Sequence, residues 1–191
     1  MLGGIDVRTA TISKKDIIKT AIIMIEKGEK ITFSTISRKM KITSQSLYNY
    51  FKNQKELEYA IVGTVISSAC KIAQEKTFGK SGHDGVTSLA LTFRKMGVRH
   101  INMAQFVISH HRTNQYKIVT DAFNELKILI DRMLESYIDS DKLLKASRLI
   151  RSLVVGDILN VGTGWFKSPE VRAESSFIEM LNLSLNALKN S

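Results

Sequence analysis

Residues 31–51 read ITFSTISRKMKITSQSLYNYF. The stretch fits two short helices separated by a tight turn. Thr32 is placed to cap the first, which runs to Met40 and buries Ile36 and Met40. Thr43 is placed to cap the second, which runs to about residue 51 and buries Leu47 and Phe51. A threonine hydroxyl at either start accepts a hydrogen bond from a backbone amide that has no partner inside the helix. A helix-turn-helix needs a small residue in the middle of its first helix. It needs a turn residue four positions later and an apolar residue six beyond that. Ser37, Lys41 and Leu47 hold those positions. Ser37 permits close packing, and Leu47 locks the second helix down. Lys41 must accept a left-handed backbone, which costs a non-glycine residue about 1–2 kcal/mol.

The second helix carries an uncharged polar face: Ser44, Gln45, Ser46, Asn49 and Tyr50. Such a face suits the major groove, where Gln and Asn pair bidentately with adenine and Ser is less selective. Ser44, Gln45 and Asn49 are therefore the expected base readers. Thr43, Tyr48, Tyr50 and Lys52 are expected on phosphates, and the amides at the start of the helix suit an anion. Thr32 and Thr35 are further phosphate candidates, and Lys14 and Lys15 are placed to add backbone contacts. The competing reading of Tyr48 and Tyr50 is half-buried packing with wet hydroxyls.

Charge points the same way. The chain has 191 residues and a formal net charge of +10. Residues 1–57 hold 11 Lys/Arg against 5 Asp/Glu, and residues 58–191 hold 17 against 13. The basic excess is about three times denser in the first part, which favours a polyanionic partner there. The one cysteine, Cys70, allows no disulfide framework and reads as a small buried hydrophobe. No stretch reaches the roughly 18 apolar residues of a membrane span, and residues 1–12 do not read as a secretory signal. Residues 1–12 are expected to be a flexible arm, and the protein is expected in the cytoplasm without membrane partners.

Apolar residues recur at helical spacing along nearly the whole chain, so the fold class is expected to be all-α. A first helix begins after Ser13, with Asp16 completing a capping box, and ends at Gly28. A fourth begins at a second box, Asn53 to Glu56, and continues to about residue 78. Further helices are expected near 84–100, 102–110, 114–138, 140–164 and 169–189, the last started by Ser168 and Pro169. A three-helix bundle with a helix-turn-helix, residues 13–57, is thus joined through the fourth helix to a larger helical part, residues 58–191.

Ile36, Leu47-Tyr48, Phe51 and the run Asn53-Gln54-Lys55-Glu56-Leu57 resemble the DNA-binding signature of the tetracycline-repressor (TetR) family of bacterial regulators. The likeness covers about residues 13–60. It departs at Lys41, where the family usually has Gly. It departs also at Gln54, where the family usually has a phosphate-binding Lys, a role that Lys52 or Lys55 is placed to take. Residues 151–166, RSLVVGDILNVGTGWF, are similar to a helix of a subgroup whose C-terminal domain is called WHG, with Val155-Gly156 where that subgroup has His-Gly.

The resemblance implies a C-terminal domain that binds a small effector and forms a homodimer through its last two long helices. The apolar residues of 140–164 and 169–189, on more than one face of each, suit a four-helix seam. Phe93, Met96, His100, Met103, Phe106, Phe123 and Trp165 are candidate pocket lining, with plain core packing as the alternative. Such a pocket suits a lipophilic ligand. Asp157, in an apolar helix, is expected either to pair with an arginine or to contact the ligand.

The function expected from these features is sequence-specific transcriptional regulation. The chain would be a repressor that grips a palindromic double-stranded DNA operator until the effector releases it. The alternative is an all-helical ligand-binding or interaction protein whose helix-turn-helix no longer reads a specific site. No glycine-rich phosphate loop, HExxH, nucleophile elbow or CxxC occurs, so neither an enzyme nor a cofactor is expected. Adjacent His110 and His111 point about 100° apart on a helix and are not expected to hold a metal.

Overall fold

The computed structural model describes residues 12–190. Nine α-helices follow one another among them: α1 Lys14–Glu26, α2 Phe33–Met40, α3 Ser44–Leu47, α4 Gln54–Lys76, α5 Gly82–Arg99, α6 Ile101–Ser109, α7 Lys117–Glu135, α8 Leu143–Gly162 and α9 Ala173–Asn190. One 3-10 turn, Ser140–Lys142, leads into α8. The fold is all-α, as the apolar spacing requires.

Local chemistry sets the first boundaries. The Ser13 hydroxyl accepts the Asp16 amide at 3.2 Å, and the Asp16 carboxylate accepts the Ser13 amide at 3.0 Å. Hydrogen bonding to Ser13 holds the Asp16 carboxyl below its usual value. Gly28 takes φ +71° after α1, where the Glu29 amide turns back to the Met24 carbonyl at 2.9 Å. Asn53 caps α4 by accepting the Glu56 amide at 2.9 Å. The return bond goes to the neighbouring residue: Glu56 accepts the Lys52 amide at 2.7 Å.

Two apolar clusters result. The smaller unites Ile17, Ala21, Met24 and Ile25 of α1 with Phe33, Ile36, Leu47, Phe51 and Leu57. The larger joins α4, α5, α7, α8 and α9 around Cys70, Leu89, Leu134, Ile150, Phe177 and Leu181. Burial pushes the Cys70 thiol up to about 12, the behaviour of an inert packed residue. α4 spans both clusters, from Leu57 and Ile61 in the smaller to Val62 and Ala73 in the larger. α6 is the second bridge. Met103 lies in the small cluster, and Phe106 and Val107 pack against both.

Two expected boundaries move. α9 begins at Ala173 and not at residue 169, because the Ser168 hydroxyl accepts the Glu170 amide two residues on and closes a local turn instead of capping a helix. Regular α3 stops at Leu47 instead of running to residue 51. Beyond it the amides of Tyr48, Asn49 and Tyr50 bond three residues back, so the chain tightens before reaching Asn53.

Candidate nucleic-acid interface

The turn between α2 and α3 adopts the conformation the motif demands. Lys41 has φ 56° and ψ 42°, and among the described residues it is the one non-glycine at positive φ. The strain is held by the Lys41 amide on the Arg38 carbonyl and the Ile42 amide on the Ser37 carbonyl, 3.3 and 3.0 Å. Leu47 is fully buried beneath α3, and buried Ser37 lets the helices approach.

The polar residues then divide by what their side chains already do. Gln45 and Asn49, one turn apart, are exposed, and neither amide is engaged within the described residues. Tyr48 is 55% exposed, its ring standing edge-on to Phe33 at 4.9 Å. Lys14, Lys52 and Lys55 are exposed, with the Lys14 ammonium 5.3 Å from the centre of the Phe51 ring.

The other expected contacts are committed internally. Ser44 turns into the motif, its hydroxyl 2.9 Å from that of Ser37. Thr43 and Ser46 share a hydroxyl bond of 2.8 Å while Thr43 accepts the Ser46 amide. The Tyr50 hydroxyl donates to the Ile12 carbonyl at 2.6 Å, fastening the segment ahead of α1. Thr32 and Thr35 form a reciprocal box: Thr35 Oγ1 accepts the Thr32 amide at 2.8 Å, and Thr32 Oγ1 accepts the Thr35 amide at 3.1 Å. Gln54, the other departure from the TetR signature, donates to the Ile31 carbonyl and to Glu58, so it braces α4 against the lead-in to α2.

Sequence reasoning passed over Lys30, Arg38 and Lys39. With Met24, Glu29 and Thr35 they line a shallow hollow of about 370 Å³ on the same small bundle. Their signal was the local charge excess, which does not say which cations share a face.

The eight residues expected to line an effector pocket are not brought together. Met103 is buried in the small cluster. His100 is half exposed and faces Glu26 of α1 at 3.2 Å. Trp165 is 81% exposed, beyond the turn where Gly164 takes φ +85° and directs the chain away from the core. Phe93, Phe106 and Phe123 are half-buried against the large cluster, Met96 is half-buried on α5, and the Arg112 guanidinium covers Phe123 at 5.8 Å. A surface hollow of about 470 Å³ lies elsewhere, along Lys80, Ser81, Thr87 and Ser88.

Asp157 takes the arginine alternative. Arg94 of α5 donates through Nε to Asp157 Oδ2 at 2.6 Å, with both side chains almost wholly buried. Glu174 of α9 lies 3.6 Å from the same guanidinium, and the Phe177 ring lies 5.4 Å beneath it. Burial raises the Asp157 carboxyl above its usual value despite the opposing pull of Arg94. Asp157 Oδ1 has no hydrogen-bond partner among the described residues. Arg94 itself was missed. Its signal was a charged residue in the apolar stripe Val86, Leu89, Ala90, Phe93 of α5. Among the described residues no group of three His, Cys, Asp or Glu side chains is placed to hold a metal ion, and no helix is long and apolar enough to cross a membrane.

No family model and no curated protein matches the sequence. The fold does match solved structures. A variant of TetR from Acinetobacter baumannii AYE in complex with minocycline has a TM-score of 0.68 at 16% identity, covering 94% of this chain and 98% of that one. BioQ in complex with its natural double-stranded DNA operator has a TM-score of 0.66 at 18% identity, covering 93% and 99%. FadR from Bacillus subtilis in complex with stearoyl-CoA has a TM-score of 0.68 at 13% identity, covering 93% and 98%. The architecture is thus a helix-turn-helix bundle carried on a larger helical body. The chain has the TetR fold.

Proposed function

We propose that this chain is a sequence-specific DNA-binding transcriptional regulator, a repressor that leaves a palindromic operator when a small lipophilic effector binds. The observation that carries this reading is the outer surface of α3 and of the tighter turns that follow it. Gln45 and Asn49 are exposed with amides unengaged among the described residues, Tyr48 and Lys52 flank them, and the residues around them are spent on holding the turn. Free amides on a clamped helix suit adenine edges, and a flanking cation suits phosphates. The four committed hydroxyls of Thr32, Thr35, Thr43 and Tyr50 contribute by fixing the bundle, which leaves Tyr48, Lys14, Lys52 and Lys55 as the phosphate contacts.

Residues 13–57 serve as the DNA-binding unit and residues 58–191 as the effector and dimerisation unit. Exposed Leu144 and Val155 on α8 and Leu183 on α9 support a homodimer through these two helices. Two copies of α3 would then need to sit about 34–36 Å apart to enter successive major grooves. Effector binding in the larger helical part would shift α4, the bridge between the clusters, and change that spacing.

The test is a titration of the protein against the intergenic DNA upstream of its own gene and against a scrambled duplex, at two salt concentrations. The expected result is tighter binding to the intergenic duplex that persists at the higher salt. Equal affinity for both, collapsing with salt, would favour a helix-turn-helix that no longer reads a site.

A further inference from the structure

α6 has a histidine at each end. His100 ends α5 and begins α6, and His110 closes α6. Each faces a carboxylate on a helix that contributes to the small apolar cluster. His100 Nδ1 lies 3.2 Å from Glu26 Oε2 at the end of α1. His110 Nε2 lies 3.6 Å from Glu58 Oε2 on the first turns of α4. The two contacts bracket the helix that bridges both apolar clusters.

The tautomer of His110 is fixed by its other nitrogen. Nδ1 lies 2.6 Å from the Phe106 carbonyl, which only accepts, so Nδ1 carries a hydrogen and donates. In the neutral ring Nε2 is then a bare lone pair turned toward a carboxylate. Adding a proton there converts a repulsive contact into an ion pair. Glu58 is held for this contact, since its Oε1 accepts from Gln54, whose amide also donates to the Ile31 carbonyl just ahead of α2. The line from α6 to the helix-turn-helix therefore passes through one histidine, one glutamate and one glutamine. At the other end the Asn102 amide donates to the Glu26 carbonyl at 3.0 Å, beside His100.

Around His110 stand Tyr59 of α4, edge-on at 5.5 Å, Tyr116 stacked on Tyr59, and exposed His111 and Arg112. Around His100 the chain neighbours Arg99 on α5 and Lys27 after α1 are exposed. α8 meets α6 where Gly162 abuts Ile101, and its buried charge, Asp157, is bound to Arg94.

We propose that α6 is a proton-operated latch: protonation of His100 and His110 ties it to Glu26 of α1 and Glu58 of α4 and raises the affinity of the α3 surface for DNA. The affinity half rests on the DNA-binding reading above. Two carboxylates, one at the end of α1 and one near the start of α4, are neutralised as the latch closes, which lowers their repulsion of the phosphate backbone. Acidification thus tightens binding, and the effect is lost as the histidines deprotonate.

Two measurements on the full chain test this. In chemical denaturation at about pH 6, Glu26→Gln and Glu58→Gln should each cost less stability when the facing histidine is already Gln, while His111→Gln leaves both costs unchanged. Costs that simply add in the paired variants would overturn the latch. The second measurement uses a duplex of about 30 base pairs that the protein itself selects from a random pool, at constant ionic strength. Affinity should rise about three- to tenfold between about pH 8 and pH 6. His111→Gln should keep that rise, and the correctly folded His100→Gln/His110→Gln double variant should lose it. A rise that survives in the double variant would overturn the proposal. A pool that yields no selected duplex would sink the DNA-binding reading and the affinity claim with it, while the denaturation cycles still decide the latch.

Discussion

The α2–α3 bundle and the junction of α5, α8 and α9 both place polar groups beside an apolar core, and they do it in opposite ways. In the bundle the bonds that hold the turn are local, spanning 3 residues from Thr43 to Ser46 and 7 from Ser37 to Ser44. The side chains left over, Gln45 and Asn49, point to solvent. In the junction Arg94 and Asp157, 63 residues apart, are drawn into the core, and one carboxylate oxygen has no partner among the described residues. A surface made for a partner keeps its donors and acceptors free and its scaffold satisfied. A buried ion pair commits its groups and specifies how helices register, at a cost in desolvation.

The sharpest way to break this contrast is Arg94→Ala. It leaves Asp157 buried without its cation, and chemical denaturation should show a loss of about 3–5 kcal/mol. The double variant Arg94→Met/Asp157→Leu should regain most of that loss. A cost below about 1 kcal/mol for the single variant would mean that water reaches the pair.

Leu47→Ala comes next, with an expected loss of about 2–5 kcal/mol for a fully buried leucine. Hydrogen exchange should locate the loss in α1–α3 and leave the amides of α7 and α8 protected. Uniform loss of protection would show that the two apolar clusters unfold as one unit.

The smallest effect has the opposite sign. Lys41→Gly should stabilise the bundle by about 1 kcal/mol, since glycine accepts the left-handed φ of 56° without the steric cost. No gain in melting temperature would place the strain elsewhere in the turn.

The bundle was legible in the sequence because its signals act over a few residues. The Ser13–Asp16 box, the Thr32 and Thr43 caps, the left-handed turn at Lys41 and buried Leu47 follow from spacing and residue type. Spacing did not reveal which hydroxyls would be free. Ser44, expected at the bases, bonds Ser37, and Tyr50 reaches back 38 residues to Ile12, a contact with no local signature. In the body, helical periodicity located α4 to α8 but could not say which faces meet. Seven apolar or aromatic side chains and Asp157 looked like one pocket, yet Met103 joined the other cluster and Trp165 stayed outside. Arg94 shows the same limit, because its partners on α8 and α9 lie far along the chain. Ser168 and Pro169 failed as a helix start because a turn two residues long competes with a cap.

The central claim is that the exposed amides of Gln45 and Asn49 distinguish one DNA sequence from another. The measurement that tests it most directly compares Asn49→Ala with Lys52→Ala on the selected duplex and on a scrambled one. Asn49→Ala should weaken binding to the selected duplex by about 1–3 kcal/mol and leave the scrambled one nearly unchanged, whereas Lys52→Ala should weaken both alike and reduce the salt dependence. Equal losses on both duplexes for Asn49→Ala would contradict its assignment as a base reader and, with it, the account of α3 as the surface that reads DNA.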